Sequence, residues 1–366
     1  MVTTTAADER NPPNRLEGLA PASALASSHT PSAIVTYLDQ YVVGQDEAKK
    51  TLAVVVYAHY KKLLGAARHN AAIAKSNVLL IGPTGTGKTL LCQTLSNAIG
   101  VPFVTADATS LAQTRYVNEE IEAILLRLLA KADGDIARAQ HGIVFIDEID
   151  KLKSASGQLR STSGEGVQHA LLKIMEGSLV KLGATQAIDT SNILFICGGA
   201  FVGLEKIRLG NPNYGFISIG DSANQRILDK LNARIKPTDL IEFGLIPEFT
   251  GRLPVIANLQ DLSRATLVRI MTEPKNSIHQ QFRDIMAEQG VALEIAPRVF
   301  VEIAELALEY KVGARSLRGI FEEMMTPVLY AVPDLPQVRR LVFSSLFSDP
   351  VLLDAADNAV INPWAA

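Results

Sequence analysis

The run Gly82-Pro83-Thr84-Gly85-Thr86-Gly87-Lys88-Thr89 constrains this chain more than any other eight residues. It fulfils G-x-x-x-x-G-K-[ST] at every fixed position, with the apolar stretch Asn77–Ile81 before it and a helical pattern from Thr89 after it. That strand, loop and helix context is what the motif needs before it carries meaning. The glycines let backbone N–H groups curl round phosphate oxygens, and the helix N-terminus adds favourable partial charge. Lys88 can reach the β- and γ-phosphates, and the Thr89 hydroxyl suits Mg2+. The segment predicts nucleoside triphosphate binding.

The flanking pattern extends this start into a fold. Apolar strand candidates are Asn77–Ile81, Val101–Thr105, Gly142–Ile146, Asn192–Cys197 and Leu253–Ala257. Helical stretches lie between most of them, among them Lys88–Ile99, Glu119–Lys131 and Gly166–Glu176. Strands spaced by helices predict an α/β fold, a parallel sheet covered on both faces, over residues 31–260. From Ser263 the pattern turns mainly helical, with Ala265–Thr272, Pro274–Gln289, Pro297–Tyr310 and Ala314–Leu329, which predicts a smaller helical subdomain over 261–347. Residues 1–30 are rich in Ala, Ser, Thr, Pro and Asn and read as a flexible leader, and residues 348–366 read as an irregular tail.

Composition removes several function classes. With 48% hydrophobic residues among 366, a sizeable core is affordable, yet no apolar run approaches the roughly 18 residues that span a bilayer. The first fifteen residues lack the apolar centre of a secretory signal. A formal net charge of −3 argues against a general nucleic-acid binder. Cys92 and Cys197 are the only cysteines, too few for a four-cysteine zinc site or a disulfide framework, so the expectation is core residues, no zinc and a cytoplasmic setting.

A second nucleotide element is Ile143-Val144-Phe145-Ile146-Asp147-Glu148. Four apolar residues form a buried strand that delivers two carboxylates at its C-terminal end, where open α/β sheets bind ligands. Asp147 suits the Mg2+ shell, and Glu148 suits orienting and polarising an attacking water. Paired acids after a strand also cap helices, but behind a complete phosphate loop they point to ATP hydrolysis. Two arginines fall in distinctive runs: Arg252 in Gly244–Pro254 and Arg315 in Val312–Arg318. Each is also compatible with an ordinary surface arginine.

Over roughly residues 31–330 the chain resembles the ClpX group of AAA+ protein unfoldases. The stretches that carry the likeness are YLDQYVVGQDEAKKTLAVVVYAHYKKL, GPTGTGKTLL, ADATSL, VFIDEIDK, SGEGVQHALLKIMEG, DTSNILFICGGAF, DLIEFGLIPEFTGRLPV and GARSLRGI. The resemblance implies a large α/β AAA+ P-loop subdomain and a small helical one, assembled as a homo-oligomeric ring, usually a hexamer, that uses ATP and Mg2+ to thread protein substrates through an axial pore. It implies that Lys88, Glu148 and Arg252 are catalytic, with Arg252 acting as a finger on the adjacent subunit's nucleotide. It places Val42 and Val43 at the adenine, Gly82, Pro83, Thr84, Gly85, Thr86, Gly87, Lys88 and Thr89 at the phosphates, Thr89 and Asp147 at Mg2+, and Arg315 as the γ-phosphate sensor of the helical subdomain.

The parts that would handle substrate depart from that pattern. Tyr116 and Val117 fall at the pore loop, but Arg115 and Asn118 replace the family's flanking glycines. Lys153–Ser161, with Lys153 and Arg160, stands at a second pore segment. The basic cluster of a longer insertion between Gly177 and Thr190 is missing, and so is an N-terminal zinc-binding domain. Tyr214-Gly215-Phe216 occupies the peptidase-docking tripeptide, with tyrosine where an aliphatic residue would enter a hydrophobic cleft, a mismatch of about 1–3 kcal/mol per loop. The expectation is therefore an ATP-driven unfoldase, with docking to a ClpP-like peptidase a separate and open question; the alternatives are a remodelling chaperone that works without a peptidase and, as a different class, a DNA-acting loader. The strand Asn192–Cys197 ends in Gly198-Gly199, which offers no polar sensor.

Overall fold

The computed structural model describes residues 30–69, 75–114, 116–153, 162–183, 185–210 and 235–360. The five apolar runs form one sheet of β1 (Val78–Ile81), β2 (Phe103–Asp107), β3 (Ile143–Asp147), β6 (Leu194–Gly199) and β7 (Val255–Asn258), in the order β2-β3-β6-β1-β7. Every pairing is parallel, and the phosphate-loop strand sits between β6 and β7, with Val78 opposite both Ile196 and Val255.

Because side chains alternate across a strand, the sheet feeds two cores. Leu79, Ile81, Val144, Ile146, Phe195 and Cys197 face one, which the helices Val117–Lys131 and Thr162–Glu176 cover. Val78, Leu80, Ile143, Phe145, Leu194 and Ile196 face the other, under the helices Pro31–Asp39, Asp46–His69 and Lys88–Ile99. Both cysteines are free and buried.

Three strands start about two residues later than their apolar runs. Pro102 and Pro254 have no N–H to give a ladder, and pairing begins beyond each of them. Before β6, Asp189 caps a 3-10 turn over Thr190–Asn192, which delays that strand to Leu194. The sequence pattern also missed an antiparallel hairpin of β4 (Leu179–Leu182) and β5 (Gln186–Asp189).

Residues from Leu262 onward form a third core around the helices Arg264–Thr272, Ile278–Glu288, Pro297–Glu309 and Arg315–Ala331. Phe282 and Phe300 flank Phe321, with ring centroids 5.1 and 6.4 Å from it. A small sheet completes this unit: β8 (Ala292–Ile295) runs parallel to β9 (Arg340–Phe343), which pairs antiparallel with β10 (Val351–Leu353). The reading of everything after Ser348 as irregular therefore differs from the structure, where Leu352 is buried in this core. Runs of three or four residues are too short to display a period.

The hinge between the units is clasped from the other end of the chain. The Gln45 amide donates from Nε2 to the Gln260 carbonyl at 2.9 Å and accepts the Gln260 N–H at 2.8 Å. Among the described residues no helix is long and apolar enough to cross a membrane.

Candidate nucleotide site

The phosphate loop leaves β1 at the centre of the sheet and turns at once into the helix Lys88–Ile99. Thr86 braces it by donating to the Pro83 carbonyl at 2.8 Å. The buried Lys88 ammonium donates to the carbonyls of Gly82 at 2.7 Å and Pro83 at 3.0 Å. Burial lowers its pKa, Asp147, Asp150 and Glu148 pull it back up, and Arg315 lowers it further. Lys88 thus feels in one place the charges that the sequence scattered over more than two hundred residues. Thr89 directs its hydroxyl to Asp147 Oδ2 at 3.4 Å.

Asp147 ends a strand whose first four residues are fully buried, and Glu148 follows it as the N-cap of a 3-10 turn. Glu148 sits in the left-handed region, with φ 58° and ψ 31°, a conformation costly for a residue with a side chain. Its N–H donates to Asp147 Oδ1 at 2.9 Å. Asp150 follows on a 3-10 turn, buried, and accepts the N–H groups of Ala200 at 3.2 Å and Phe201 at 3.3 Å, joining the acid turn to the end of β6. At that end a Cβ on Gly198 would come within 2.6 Å of the Phe145 ring, and one on Gly199 within 2.6 Å of Asp150 Oδ1. A side chain at either position would force Phe145 or Asp150 to move.

The helical unit reaches the loop through two glycines in backbone contact. Gly85 has φ +81° and Gly313 has φ +64°, and the Ala314 N–H donates to the Gly85 carbonyl at 3.2 Å. A Cβ on Gly85 would overlap the Val312 carbonyl, and one on Gly313 would lie 2.9 Å from the Thr84 carbonyl. Arg315 starts the next helix and lines, with Thr89, Asp147, Glu148 and Arg127, a cavity of about 680 Å³. A second cavity, about 710 Å³, opens on the outer side of the loop between Gly82–Thr84 and Leu262, Leu267 and Lys311.

Of the residues singled out from sequence, the structure brings together Gly82 through Thr89, Asp147, Glu148 and Arg315. Arg252 stands apart, on its own chain's Glu176, with Nη2 2.6 Å and Nε 2.8 Å from Oε1. Val42 and Val43 are buried beside the hinge, where Gly44 lies near Thr266, and they line neither cavity. Tyr116 is 64% exposed, and Val117 and Asn118 open the helix Val117–Lys131. Lys153 ends the described part of its segment, with its ammonium 5.4 Å from the centre of the Phe243 ring. Arg115, Arg160, Ser161, Tyr214, Gly215 and Phe216 lie outside the described residues.

Sequence reasoning passed over Gln45, Asn77, Gln168 and Glu176. Asn77, buried, donates to the carbonyls of Arg252 at 3.2 Å and Met175 at 3.4 Å and accepts the Phe195 N–H. The only signal for Asn77 and Gln168 was a polar residue at an otherwise apolar position.

The donors present fit ATP and Mg2+. A hydroxyl and a carboxylate 3.4 Å apart are hard oxygen ligands, and glycines at positive φ leave backbone room for phosphate. Comparison with known proteins agrees. Residues 73–256 match the family described as AAA domain (Cdc48 subfamily), and residues 262–333 match the C-terminal, D2-small domain of ClpB protein. The chain is 46% identical over 341 residues to the ATP-dependent Clp protease ATP-binding subunit ClpX 3 of Methylococcus capsulatus, covering 85% of this chain and 78% of that one. It is 46% identical to the subunit ClpX of Azotobacter vinelandii, covering 85% and 76% of the two chains. With ClpX of Treponema denticola the identity is 43%, over 86% of this chain and 80% of that protein.

Proposed function

Because the chain belongs to the ClpX family of AAA+ ATPases, we propose that it is an ATP-driven protein unfoldase and translocase, working as a ring of like subunits, usually six, in the cytoplasm. The observation that carries this reading is the split in the site. Lys88, Thr89, Asp147, Glu148 and Arg315 converge on one loop, while Arg252 is presented on the surface against Glu176. A site with its acids and lysine in place and its finger facing outward suits completion by a neighbour.

In this reading the phosphate-loop N–H groups and Lys88 hold the phosphates, and Thr89 and Asp147 hold Mg2+. The metal, when bound, neutralises charge on the phosphates. Glu148 orients the attacking water and takes its proton. Arg252 stabilises the charge that spreads over the γ-phosphate next door. Gly313 and Arg315 tie the helical unit to the loop, so nucleotide exchange shifts that unit about the hinge at Gln260. Tyr116 then carries the motion to a polypeptide in the pore.

The test is ATP-dependent loss of fluorescence from a folded fluorescent protein that bears an unstructured tail, with ring assembly followed by mass photometry. Turnover of ATP without unfolding of any tagged reporter would sink the unfoldase reading. Tyr214 favours a second reading, a remodelling chaperone that works without a ClpP-like peptidase, since the bulky phenol suits an apolar docking cleft poorly. Pull-down of the host peptidase by the wild-type chain, lost in Phe216→Ala, would decide against that second reading.

A further inference from the structure

Gln168 is completely buried on the helix Thr162–Glu176, and both ends of its amide are used between two functional segments. Its Nε2 donates to the carbonyl of Leu152 at 2.8 Å, and its Oε1 accepts the N–H of Ile246 at 2.8 Å. The partners fix which way the amide points, because a carbonyl can only accept and an N–H can only donate. Leu152 closes the 3-10 turn that begins directly after Glu148. Ile246 is the N-cap of the helix Pro247–Gly251, whose next residue is Arg252. One buried side chain therefore spans from the acid turn to the start of the element that bears the finger.

That element has few other ways to move. Phe249 is fully buried in the sheet's core, the Ile246 carbonyl accepts from the Thr250 N–H at 3.0 Å, and Asn77 holds the Arg252 carbonyl. Five residues of helix span only about 7.5 Å, so a small displacement at Ile246 reaches Arg252 with little loss. Arg252 works only if its guanidinium meets the transition-state charge within about half an ångström.

We propose that Gln168 is a positioning residue for hydrolysis in the adjacent subunit, fixing through Ile246 the helix that carries Arg252. The inference rests on the reading of Arg252 as a finger given to a neighbour, and its test separates the two.

The experiment uses mixed rings of two chains. An acceptor carries Arg252→Ala and keeps Glu148, and a donor carries Glu148→Gln and keeps Arg252. ATP turnover in the mixture then needs the donor's finger at the acceptor's site. Absence of turnover in that control would remove the finger reading and this inference with it. Given turnover, Gln168→Met in the donor lowers it at least about tenfold, whereas the same change in the acceptor lowers it by less than about threefold, since small misplacements of a catalytic group cost up to about 10²-fold. Ile246→Pro in the donor breaks the same hydrogen bond from the other side and gives the same loss, because Ile246 already has φ −70°. Unchanged turnover in the donor arm, or equal loss in both arms, overturns the proposal. A donor that fails to enter rings also counts against it, since a residue confined to aiming Arg252 is dispensable for assembly.

Discussion

Arg252 and Glu176 pair within one chain, with Nη2 2.6 Å from Oε1, while both side chains stay about half exposed. An ion pair of that kind contributes at most about 1 kcal/mol, so it orients the guanidinium without locking it away from a stronger anion. Under the proposed function, a γ-phosphate developing charge in the adjacent subunit is such an anion.

Arg252→Ala should therefore lower kcat for ATP by about 10³-fold or more while leaving nucleotide affinity nearly unchanged. Arg252→Lys should recover little, because an ammonium lacks the planar fork that meets two phosphate oxygens at once. Steady-state turnover beside equilibrium binding of a fluorescent nucleotide checks both. A KM change with kcat intact would assign Arg252 to ground-state binding instead.

Glu148 carries a carboxylate at φ 58°, and the two facts pull in opposite directions. Glu148→Gln should keep ATP bound and reduce turnover by about 10²–10⁴-fold, the usual worth of a positioned base. Glu148→Gly should be equally inactive yet more stable, by about 1 kcal/mol, since glycine pays no penalty in the left-handed region. Urea unfolding of the two variants would show the difference. Equal midpoints would mean that the strand end holds this conformation without strain.

At Gly313 a methyl group would meet the Thr84 carbonyl at 2.9 Å on a backbone at φ +64°. Gly313→Ala should open the contact between the helical unit and the phosphate loop and weaken nucleotide binding about 5- to 30-fold, the equivalent of 1–2 kcal/mol. Gly319 provides the contrast: it lies inside the helix Arg315–Ala331, and nothing stands within 4 Å of a Cβ there. Gly319→Ala should stabilise the protein by about 0.5–1 kcal/mol and leave binding alone. Calorimetric titration with ADP distinguishes the two substitutions.

These contrasts mark what the sequence could and could not disclose. The parallel sheet was legible because β1, β3 and β6 are buried on both faces and therefore read as continuous apolar runs. Gly82–Thr89, Asp147 and Glu148 were legible because phosphate and metal chemistry restricts residue type and spacing together. Gln168 and Asn77 were not, since each acts through backbone groups brought near only by folding: Gln168 meets Ile246 across 78 positions and Asn77 meets Arg252 across 175. The small sheet of β8, β9 and β10 escaped for a related reason, its strands being too short to show alternation and β8 pairing with β9 far along the chain, Ala292 opposite Arg340. The hinge clasp of Gln45 on Gln260 spans 215 positions and leaves no local trace.

Acid sensitivity should concentrate at His59. Its ring is 5% exposed, and the neutral form, protonated on Nε2, donates to the Asn192 carbonyl at 3.0 Å. Burial is the main reason its pKa falls to about 4, and the nearby charges of Lys75 and Lys62 lower it further. Between pH 4 and 6.5 the unfolded chain binds the proton that the folded one refuses. Stability therefore rises with pH across that window and is lost on acidification, by up to about 3 kcal/mol. Lys75, lowered to about 7, is protonated in both states over most of this window and adds little slope. His59→Gln keeps an N–H for Asn192 and should flatten the difference between urea midpoints at pH 7 and pH 5. A wild-type slope in the variant would place the acid sensitivity elsewhere.

Under the proposed function, substitutions at Tyr116 should separate motor from grip. Its side chain is 64% exposed, while its backbone does local work: the N–H donates to Thr114 Oγ1 at 3.1 Å, and the carbonyl accepts the N–H groups of Glu119 at 3.0 Å and Glu120 at 3.2 Å. The helix Val117–Lys131 is thus started by backbone groups that any residue but proline supplies, and removing the ring costs the fold little. Tyr116→Ala should leave melting temperature and basal ATP turnover within about twofold of wild type, since surface changes away from packed contacts shift stability by about 0.5 kcal/mol or less. Unfolding of a tagged reporter should fall at least about tenfold, because pulling a chain requires bulk that van der Waals contact can push against. Tyr116→Phe should behave as wild type, since grip through packing has no use for the hydroxyl. Reporter unfolding that survives Tyr116→Ala would move the gripping surface to another loop, and loss in Tyr116→Phe would replace packing with a specific hydrogen bond to the substrate.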